Sequence, residues 1–312
     1  MELVERLAAG DTRALARAIS TAEENVQGAA DVIRSAFPLT GKAVVLGVTG
    51  SPGTGKSTLV DALVAHYRGE GKKVGVVAVD PSSPYSGGAI LGDRVRMQRH
   101  ANDAGVFIRS MATRGQSGGL CNAAGDAVDL LDAAGYDPVL VETVGVGQDE
   151  IDVARAADVV AVVLVPGMGD DIQAIKAGIL EIADLFVINK ADRPGVDRMA
   201  ADLEFMLSLA PSDGRPRPLV LKTVATRGEG IGELARGIGR FLETSGIAGR
   251  KERRRKRAET RFLALLGERL LGIVLQRALP PERLREVVTA IAERRTDHYT
   301  AVEDVMRIVE MQ

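Results

Sequence analysis

The sequence predicts an α/β fold, a doubly wound and mostly parallel sheet with a helical extension before it and a helical arm after it. The first observation is a series of short Val/Ile/Leu-rich runs, several apolar almost throughout, as parallel strands covered on both faces are. The second is the helix-length stretches between them, for example 57–68, 120–134 and 172–181. The predicted strands lie at 43–48, 74–79, 106–111, 138–142, 159–165, 185–189 and 218–222.

The flanking segments divide the chain into three predicted parts. We expect an N-terminal helical extension over 1–40, with Asp11 capping an amphipathic helix, and the α/β domain over 41–246. Residues 247–312 open with the basic run KERRRKR, which we interpret as the solvated start of a helix because no aromatic residues are interleaved with it. An apolar stripe follows at four-residue spacing and must pack on the domain or on another subunit: Phe262, Leu266, Leu270 and Val274.

Composition excludes several classes of function. The 312 residues include 40 basic and 42 acidic side chains, and the formal charge of -2 argues against a nucleic-acid or membrane-surface binder. The single cysteine, Cys121, excludes an internal disulfide framework and a zinc site built from several thiolates. No apolar run approaches the ~18 residues of a membrane span and no secretory signal is visible. We therefore expect a cytoplasmic protein.

A phosphate-binding loop follows the first predicted strand. The segment GSPGTGKST meets the pattern G-x-x-x-x-G-K-[ST] with Gly50, Gly55, Lys56 and Ser57, so we predict a P-loop NTPase. Its backbone N–H groups and the N-terminus of the next helix attract phosphate, Lys56 reaches the β- and γ-phosphates, and the Ser57 hydroxyl ligates Mg²⁺. The predicted nucleotide-binding residues here are Gly50, Ser51, Pro52, Gly53, Thr54, Gly55, Lys56, Ser57 and Thr58.

A second motif predicts which base is bound. Asn189, Lys190 and Asp192 form the pattern N-K-x-D directly after a late strand. The Asp192 carboxylate can accept from the N1–H and the 2-amino group of guanine, whereas adenine offers neither donor. An unpaired buried carboxylate costs about 1–3 kcal/mol or more, so ATP should bind more weakly than GTP by at least roughly tens-fold. The segment TVATRGEG supplies backbone N–H groups for the guanine O6, from Val224, Ala225 and Thr226.

Acidic residues at strand ends predict the magnesium side of the site. Asp80 and Glu142 each end a predicted strand, and Asp93 lies in the Gly/Ser/Pro-rich segment that follows Asp80. Mg²⁺ in nucleotide sites takes one or two carboxylates, often through water. Asp80 and Glu142 could also be ordinary strand-end caps, and Asp93 could pair with a neighbouring arginine. A carboxylate such as Asp80, or else Gln148, would orient the attacking water, and Gly145 would let the backbone approach the γ-phosphate.

Taken in order, these segments resemble the MeaB/ArgK family of GTPases over nearly the whole chain. The residues that carry the resemblance are GSPGTGKST, DPSSPYSGGAILGDRVRM, ETVGVGQDE, VPGMGDDIQAIKAG and NKAD. The resemblance implies slow GTP hydrolysis, a homodimer formed through the C-terminal helices, and binding to an adenosylcobalamin-dependent acyl-CoA mutase whose cofactor loading is gated. It also implies that Asp80, Asp93 and Glu142 serve Mg²⁺. Residues 166–178 would form a third switch, with Lys176 reaching the active site.

Three other interpretations remain open at this stage. A maturation GTPase that inserts nickel would need Cys/His clusters, whereas Cys121 stands alone and His66, His100 and His298 are scattered. A P-loop kinase of small molecules is disfavoured by NKAD, and no residues identify a phosphoacceptor site. A scaffold with a vestigial nucleotide site is disfavoured because every expected ligand position is filled.

Overall fold

The computed structural model describes residues 2–24, 28–80, 97–112, 119–143, 157–167, 182–209 and 216–310. It contains two compact units, Met1–Arg257 and Ala258–Gln312. In the part of the chain that is described, no helix has the length and apolarity needed to cross a membrane.

The first unit is built on one parallel sheet. Its described strands are β1 (Val45–Thr49), β2 (Val74–Asp80), β3 (Val106–Ala112), β4 (Val139–Thr143), β5 (Val159–Leu164), β6 (Leu185–Ile188) and β7 (Leu219–Lys222). They form a seven-stranded sheet in the order β3-β2-β4-β1-β5-β6-β7, and every described pairing is parallel. Every residue of β1, β4, β5 and β6 is buried, which explains why these strands are mostly apolar; their polar residues, Thr49, Glu142 and Thr143, lie at the carboxyl ends of β1 and β4. The predicted doubly wound fold is confirmed.

Helices cover both faces of the sheet. Those described are α1 (Glu2–Ala8), α2 (Thr12–Glu23), α3 (Ala29–Ala36), α4 (Lys56–Gly69), α5 (Gly119–Ala133), α6 (Val196–Leu209), α7 (Ile231–Arg277), α8 (Pro281–Ala292) and α9 (His298–Glu310). On one face, α1, α2, α5 and α6 bury side chains such as Leu15 and Leu130 against the strands. On the other face, α4 and the start of α7 bury Leu59, Leu63 and Leu234.

The N-terminal extension packs into the main core of the first unit. Asp11 caps α2 as predicted, since its carboxylate accepts from the N–H groups of Arg13 at 2.9 Å and Ala14 at 3.1 Å. Leu15 and Ile19 of α2 are fully buried. The edge strand β3 adds a polar contact, because Arg109 donates to the Ser20 hydroxyl at 3.1 Å and pairs with Glu23.

The predicted solvation of the basic run is wrong for Arg253 and Arg257, whose side chains are 26% and 27% exposed and pair with buried acids, whereas Arg254 is exposed as predicted. Arg253 donates to both carboxylate oxygens of Asp184, at 2.8 and 3.0 Å, and Arg257 lies 3.6 Å from the Asp158 carboxylate. Arg254 donates to the carbonyl oxygen of Gly41 at 2.7 Å. These contacts hold the basic part of α7 against the N-terminal ends of the strands.

The buried acids at the N-terminal ends of the strands need arginine as a countercharge. The side chains of Asp158 and Asp184 are each 8% exposed, and their carboxylates also accept from the N–H groups of Val45 and Val160, both at 2.9 Å. A carboxylate this far from water needs hydrogen bonds and a countercharge to remain ionised. The arginines of α7 supply that charge.

The second unit is helical and leaves apolar side chains uncovered. It contains the end of α7 together with α8 and α9. Phe262, Leu266 and Leu270 are 63%, 41% and 53% exposed in the single chain.

α7 also contains a break at Gly246, whose φ of 61° and ψ of -176° are not helical. Gly246 is the last residue of the predicted α/β domain, whereas the compact units divide after Arg257, so the three-part division stays a prediction.

Candidate guanine-nucleotide site

The phosphate loop connects β1 to α4 and requires glycine at its turns. Gly50 and Gly55 have φ values of 136° and 90°, in the region that side chains with a Cβ rarely adopt. A Cβ at Gly50 would lie 2.2 Å from the Val163 carbonyl oxygen, and a Cβ at Gly55 would lie 2.6 Å from Nδ2 of Asn189. The loop therefore passes so close to β5 and to the Asn189 side chain that only glycine fits.

Lys56 lies folded into this loop. Its Nζ donates to the carbonyl oxygens of Gly50 at 2.7 Å and Ser51 at 3.0 Å, and the residue is 6% exposed. The ammonium thus lies beside the loop at the N-terminus of α4, where the helix dipole adds roughly half a positive charge. This concentration of positive potential is what a bound triphosphate requires.

Two buried oxygen groups meet at the carboxyl ends of β1 and β4. The Ser57 hydroxyl donates to Oε1 of Glu142 at 2.6 Å, and these residues are 6% and 3% exposed. Next to them, the Thr143 hydroxyl donates to the Thr49 hydroxyl at 3.1 Å. Hydroxyl and carboxylate oxygens are the donors that Mg²⁺ prefers, so Ser57 and Glu142 fit a magnesium site beside the phosphate loop.

A cavity of about 230 Å³ lies beside the phosphate loop where the predicted base-binding segments meet. Its lining residues are Gly55, Thr58, Asn189, Lys190, Asp192, Arg193, Val224, Ala225 and Thr226. Sequence analysis predicted all of these except Arg193, which follows Asp192 directly and carries no motif signal of its own. The cavity thus brings residues from three separate loops together.

Asn189 joins these three loops. Its Nδ2 donates to the Thr54 carbonyl oxygen at 2.9 Å, while its Oδ1 accepts from the Thr223 hydroxyl at 3.1 Å and from the Ala225 N–H at 3.2 Å. The side chain is 2% exposed. Asn189 therefore holds the base pocket in register with the phosphate loop.

Lys190 and Asp192 line the rim of the cavity. Lys190 has a φ of 55°, and its Nζ donates to the Gly53 carbonyl oxygen at 2.8 Å. Its aliphatic stem therefore spans the gap between the two loops, where a base plane could lie against it. Asp192 lines the same cavity with a side chain that is 44% exposed.

The backbone N–H groups predicted to reach the guanine O6 lie in a short closed turn. The N–H of Val224 donates to the Glu229 carbonyl oxygen at 3.0 Å, which closes the loop on itself. The N–H of Ala225 donates to Oδ1 of Asn189 at 3.2 Å, and Thr226 follows it along the same short turn. Donation to the guanine O6 from Val224, Ala225 and Thr226 stays a prediction.

Several predicted residues lie outside the described part of the chain. They are Asp93, Gly145, Gln148 and Lys176. Asp80 is the last residue of β2, so its backbone lies at the carboxyl edge of the sheet together with the ends of β1 and β4. Sequence analysis missed Thr49, Thr143 and Thr223, whose hydroxyl contacts involve residues distant in sequence.

The doubly wound sheet, the phosphate loop and the N-K-x-D cavity together define a P-loop GTPase. More narrowly, the chain belongs to the MeaB family, described as methylmalonyl Co-A mutase-associated GTPase, which matches residues 14–278.

Relatives from a bacterium and from an animal support this assignment. GTPase ArgK of Escherichia coli is 38% identical over 270 residues, covering 84% of this chain and 82% of its own. The methylmalonic aciduria type A homolog of Caenorhabditis elegans, a mitochondrial protein, is 37% identical over 216 residues, covering 68% of this chain and 54% of its own. The crystal structure of a protein named LAO/AO transport system kinase superposes with a TM-score of 0.73 at 28% identity, covering 99% of this chain and 97% of that one. The chain hydrolyses GTP, as its family does.

Proposed function

We propose that this GTPase is an accessory protein of an adenosylcobalamin-dependent acyl-CoA mutase, methylmalonyl-CoA mutase being the first candidate, and that it gates cofactor loading and protects the mutase from inactivation. The observation that carries the proposal is the family match, whose description names methylmalonyl Co-A mutase, over residues 14–278. The C. elegans relative, whose name refers to methylmalonic aciduria, supports the same link.

The phosphate side of the site supports a nucleotide-dependent switch. Lys56 contacts two carbonyl oxygens of its own loop, so a bound triphosphate must replace these contacts with bonds to its β- and γ-phosphates. When the γ-phosphate is lost, Lys56 loses its bond to that phosphate, and its ammonium can again donate to the carbonyl oxygens of its own loop. Such an exchange gives the protein two states that differ at the phosphate loop.

Mg²⁺ is part of this proposal. Ser57 and Glu142, 2.6 Å apart, would hold the ion together with Asp80 and Asp93. Bound there, Mg²⁺ neutralises charge on the phosphate oxygens. Asp80 or Gln148 would orient the water that attacks the γ-phosphorus, and Lys176 would contribute a further positive charge to the active site. Without an arginine in the phosphate loop, we expect slow turnover until a partner completes the site.

The exposed apolar stripe of the second unit supports a homodimer. Phe262, Leu266 and Leu270 lie on one helix with more than two fifths of each side chain exposed in the single chain. A second copy of the same arm offers a surface of the same kind, which is how two-fold interfaces are formed. The proposed oligomer is therefore a dimer formed through the C-terminal helices.

The test of the mutase proposal is co-purification with methylmalonyl-CoA mutase in the presence of GDP and of a nonhydrolysable GTP analogue. We expect binding whose affinity differs between the two nucleotides, and loss of that difference in Lys56→Ala. Equal affinity in both nucleotide states, or no binding to this mutase and to related acyl-CoA mutases, would contradict the proposal. The GTPase assignment would stand in either case.

A further inference from the structure

The rim of the base cavity contains an ion pair that joins the two base-binding segments, through side chains to which the motifs assign no common role. Nη1 of Arg227 lies 3.8 Å from Oδ2 of Asp192, the carboxylate expected to read guanine. The Arg227 side chain is 53% exposed and that of Asp192 is 44% exposed. Within the described ranges, Arg227 is the cation in contact with this carboxylate.

Arg227 is itself held in place by the loop that carries it. Its Nε and Nη2 donate to the two carboxylate oxygens of Glu229, at 2.7 and 3.3 Å. The loop is closed by the N–H of Val224 donating to the Glu229 carbonyl oxygen, and Gly228 turns the chain with a φ of 72°. The guanidinium is therefore presented to Asp192 by a short closed turn and does not hang from a free loop.

Hydrogen bonds hold the backbone on either side of Asp192, but these bonds do not restrain the carboxylate. The Ala191 N–H donates to the Thr223 carbonyl oxygen at 3.0 Å, and the Arg193 N–H donates to the Lys190 carbonyl oxygen at 3.0 Å. A bidentate contact with guanine requires that both carboxylate oxygens lie in the plane of the base edge. An Asp side chain that is nearly half exposed can rotate away from that plane unless another group restrains it.

We propose that Arg227 is a positioning residue for base selectivity, holding the Asp192 carboxylate in the orientation that accepts from both the N1–H and the 2-amino group of guanine. Glu229 holds Arg227, so the selectivity device is the Glu229–Arg227–Asp192 chain. The proposal rests on the assignment of Asp192 as the base-reading carboxylate.

The prediction concerns the ratio of two affinities. Inosine keeps N1–H but lacks the 2-amino group, so a misaligned carboxylate costs the guanine nucleotide more than the inosine nucleotide. We expect Arg227→Ala to weaken GDP binding about two- to fivefold, as expected for an exposed ion pair. IDP affinity should stay within a factor of about two. Glu229→Ala, which keeps the arginine but frees it, should lower the GDP/IDP ratio by a smaller factor.

The experiment is calorimetric titration of the full-length protein with GDP and IDP in the presence of Mg²⁺. Arg34→Ala is the matched control, because Arg34 forms an exposed pair with Asp31 on α3 and should leave both affinities unchanged. Thermal unfolding of each variant shows whether the fold is retained. In an Asp192→Asn background, Arg227→Ala should have no further effect on the ratio.

Each alternative outcome overturns the proposal. Equal weakening of GDP and IDP would mean that Arg227 acts only through overall charge or folding. Tighter GDP binding would mean that the arginine obstructs the pocket. An unchanged ratio in Arg227→Ala would refute positioning while leaving guanine recognition intact. An unchanged ratio in Asp192→Asn itself would refute both the proposal and the base-reading assignment beneath it.

Discussion

Asn189 shows at the scale of one residue how three loops become one site. The side chain is buried and makes hydrogen bonds to Thr54, Thr223 and Ala225. We expect Asn189→Ala to leave unsatisfied groups from these partners and to lower the free energy of unfolding by about 2–4 kcal/mol. GDP affinity should fall at least about tenfold. Urea denaturation and calorimetry measure the two effects.

Asn102→Ala is a suitable comparison for that variant. Asn102 is exposed on a turn, and its removal should change the free energy of unfolding by less than about 0.5 kcal/mol. If Asn189→Ala matched this control in both stability and GDP affinity, the bridging role of Asn189 would be wrong.

Asp103 makes a prediction about pH. The Arg68 guanidinium donates to it at 2.8 and 2.9 Å and, with the Gly105 N–H, lowers the pKa of this carboxyl below its ordinary value. A lowered pKa in the folded state contributes stability that is present above the unfolded-state pKa. That contribution is lost as the pH falls through the folded-state pKa.

The stability difference between the wild type and Asp103→Asn should therefore shrink as the pH falls from 6 toward about 3. Urea midpoints measured across this range test it. A difference that stays constant with pH would show that the Arg68 pair does not depend on the charge of Asp103.

The motif residues of the site could be predicted because their spacing is local. Gly50, Gly55 and Lys56 lie within seven positions of one another, and Lys56 contacts the Gly50 carbonyl oxygen in the folded loop. The bond from Asn189 to Thr54 spans 135 positions, so no local pattern contains it. The same holds for the pairing of Arg227 with Asp192.

At the scale of elements, the arginines of α7 stabilise the sheet edge at which the strands begin. Asp184 accepts from Arg253 and from the Val160 N–H, and its side chain is 8% exposed. Asp184→Ala leaves Arg253 without this partner, so we expect the free energy of unfolding to fall by about 2–4 kcal/mol. Urea denaturation is the measurement.

The contrast is Asp31→Ala on α3, where both partners of the ion pair are 76% exposed and the change should stay below about 1 kcal/mol. A loss for Asp184→Ala no larger than that of Asp31→Ala would contradict the idea that α7 is bound to the edge through buried charge.

Elements were predictable to different degrees. All of the predicted strand segments correspond to strands. In the buried strands β1, β4, β5 and β6 the signal is a largely apolar run, whereas the edge strands β3 and β7 are partly exposed and contain charged residues such as Arg109 and Lys222. The basic run was misinterpreted because arginines look the same in a sequence whether they face water or a buried acid. The sequence does not show which acids these arginines will meet, because only the folded sheet brings Asp158 and Asp184 next to them.

At the scale of the whole molecule, the uncovered apolar stripe makes a prediction about oligomeric state. We expect the wild type to sediment as a dimer and Leu266→Glu/Leu270→Glu to sediment as a monomer that still binds GDP, since the substituted residues lie in the second compact unit. Analytical ultracentrifugation measures this. Glu268→Arg is the control, because its position lies on the opposite side of the same helix from the stripe and is exposed. A wild-type monomer, or a dimer unaffected by the charged pair, would contradict the proposed interface.

The central claim is that one cavity, joined to the phosphate loop by Asn189, recognises guanine through Asp192. The most direct measurement is calorimetric titration of the wild type and Asp192→Asn with GDP, ADP and xanthosine diphosphate in the presence of Mg²⁺. Asparagine can accept from N1–H and donate to the 2-oxo group of xanthine, so its preference should move from guanine to xanthine while the wild type binds GDP and not ADP. Equal binding of GDP and ADP by the wild type, or an unchanged base preference in Asp192→Asn, would contradict the claim.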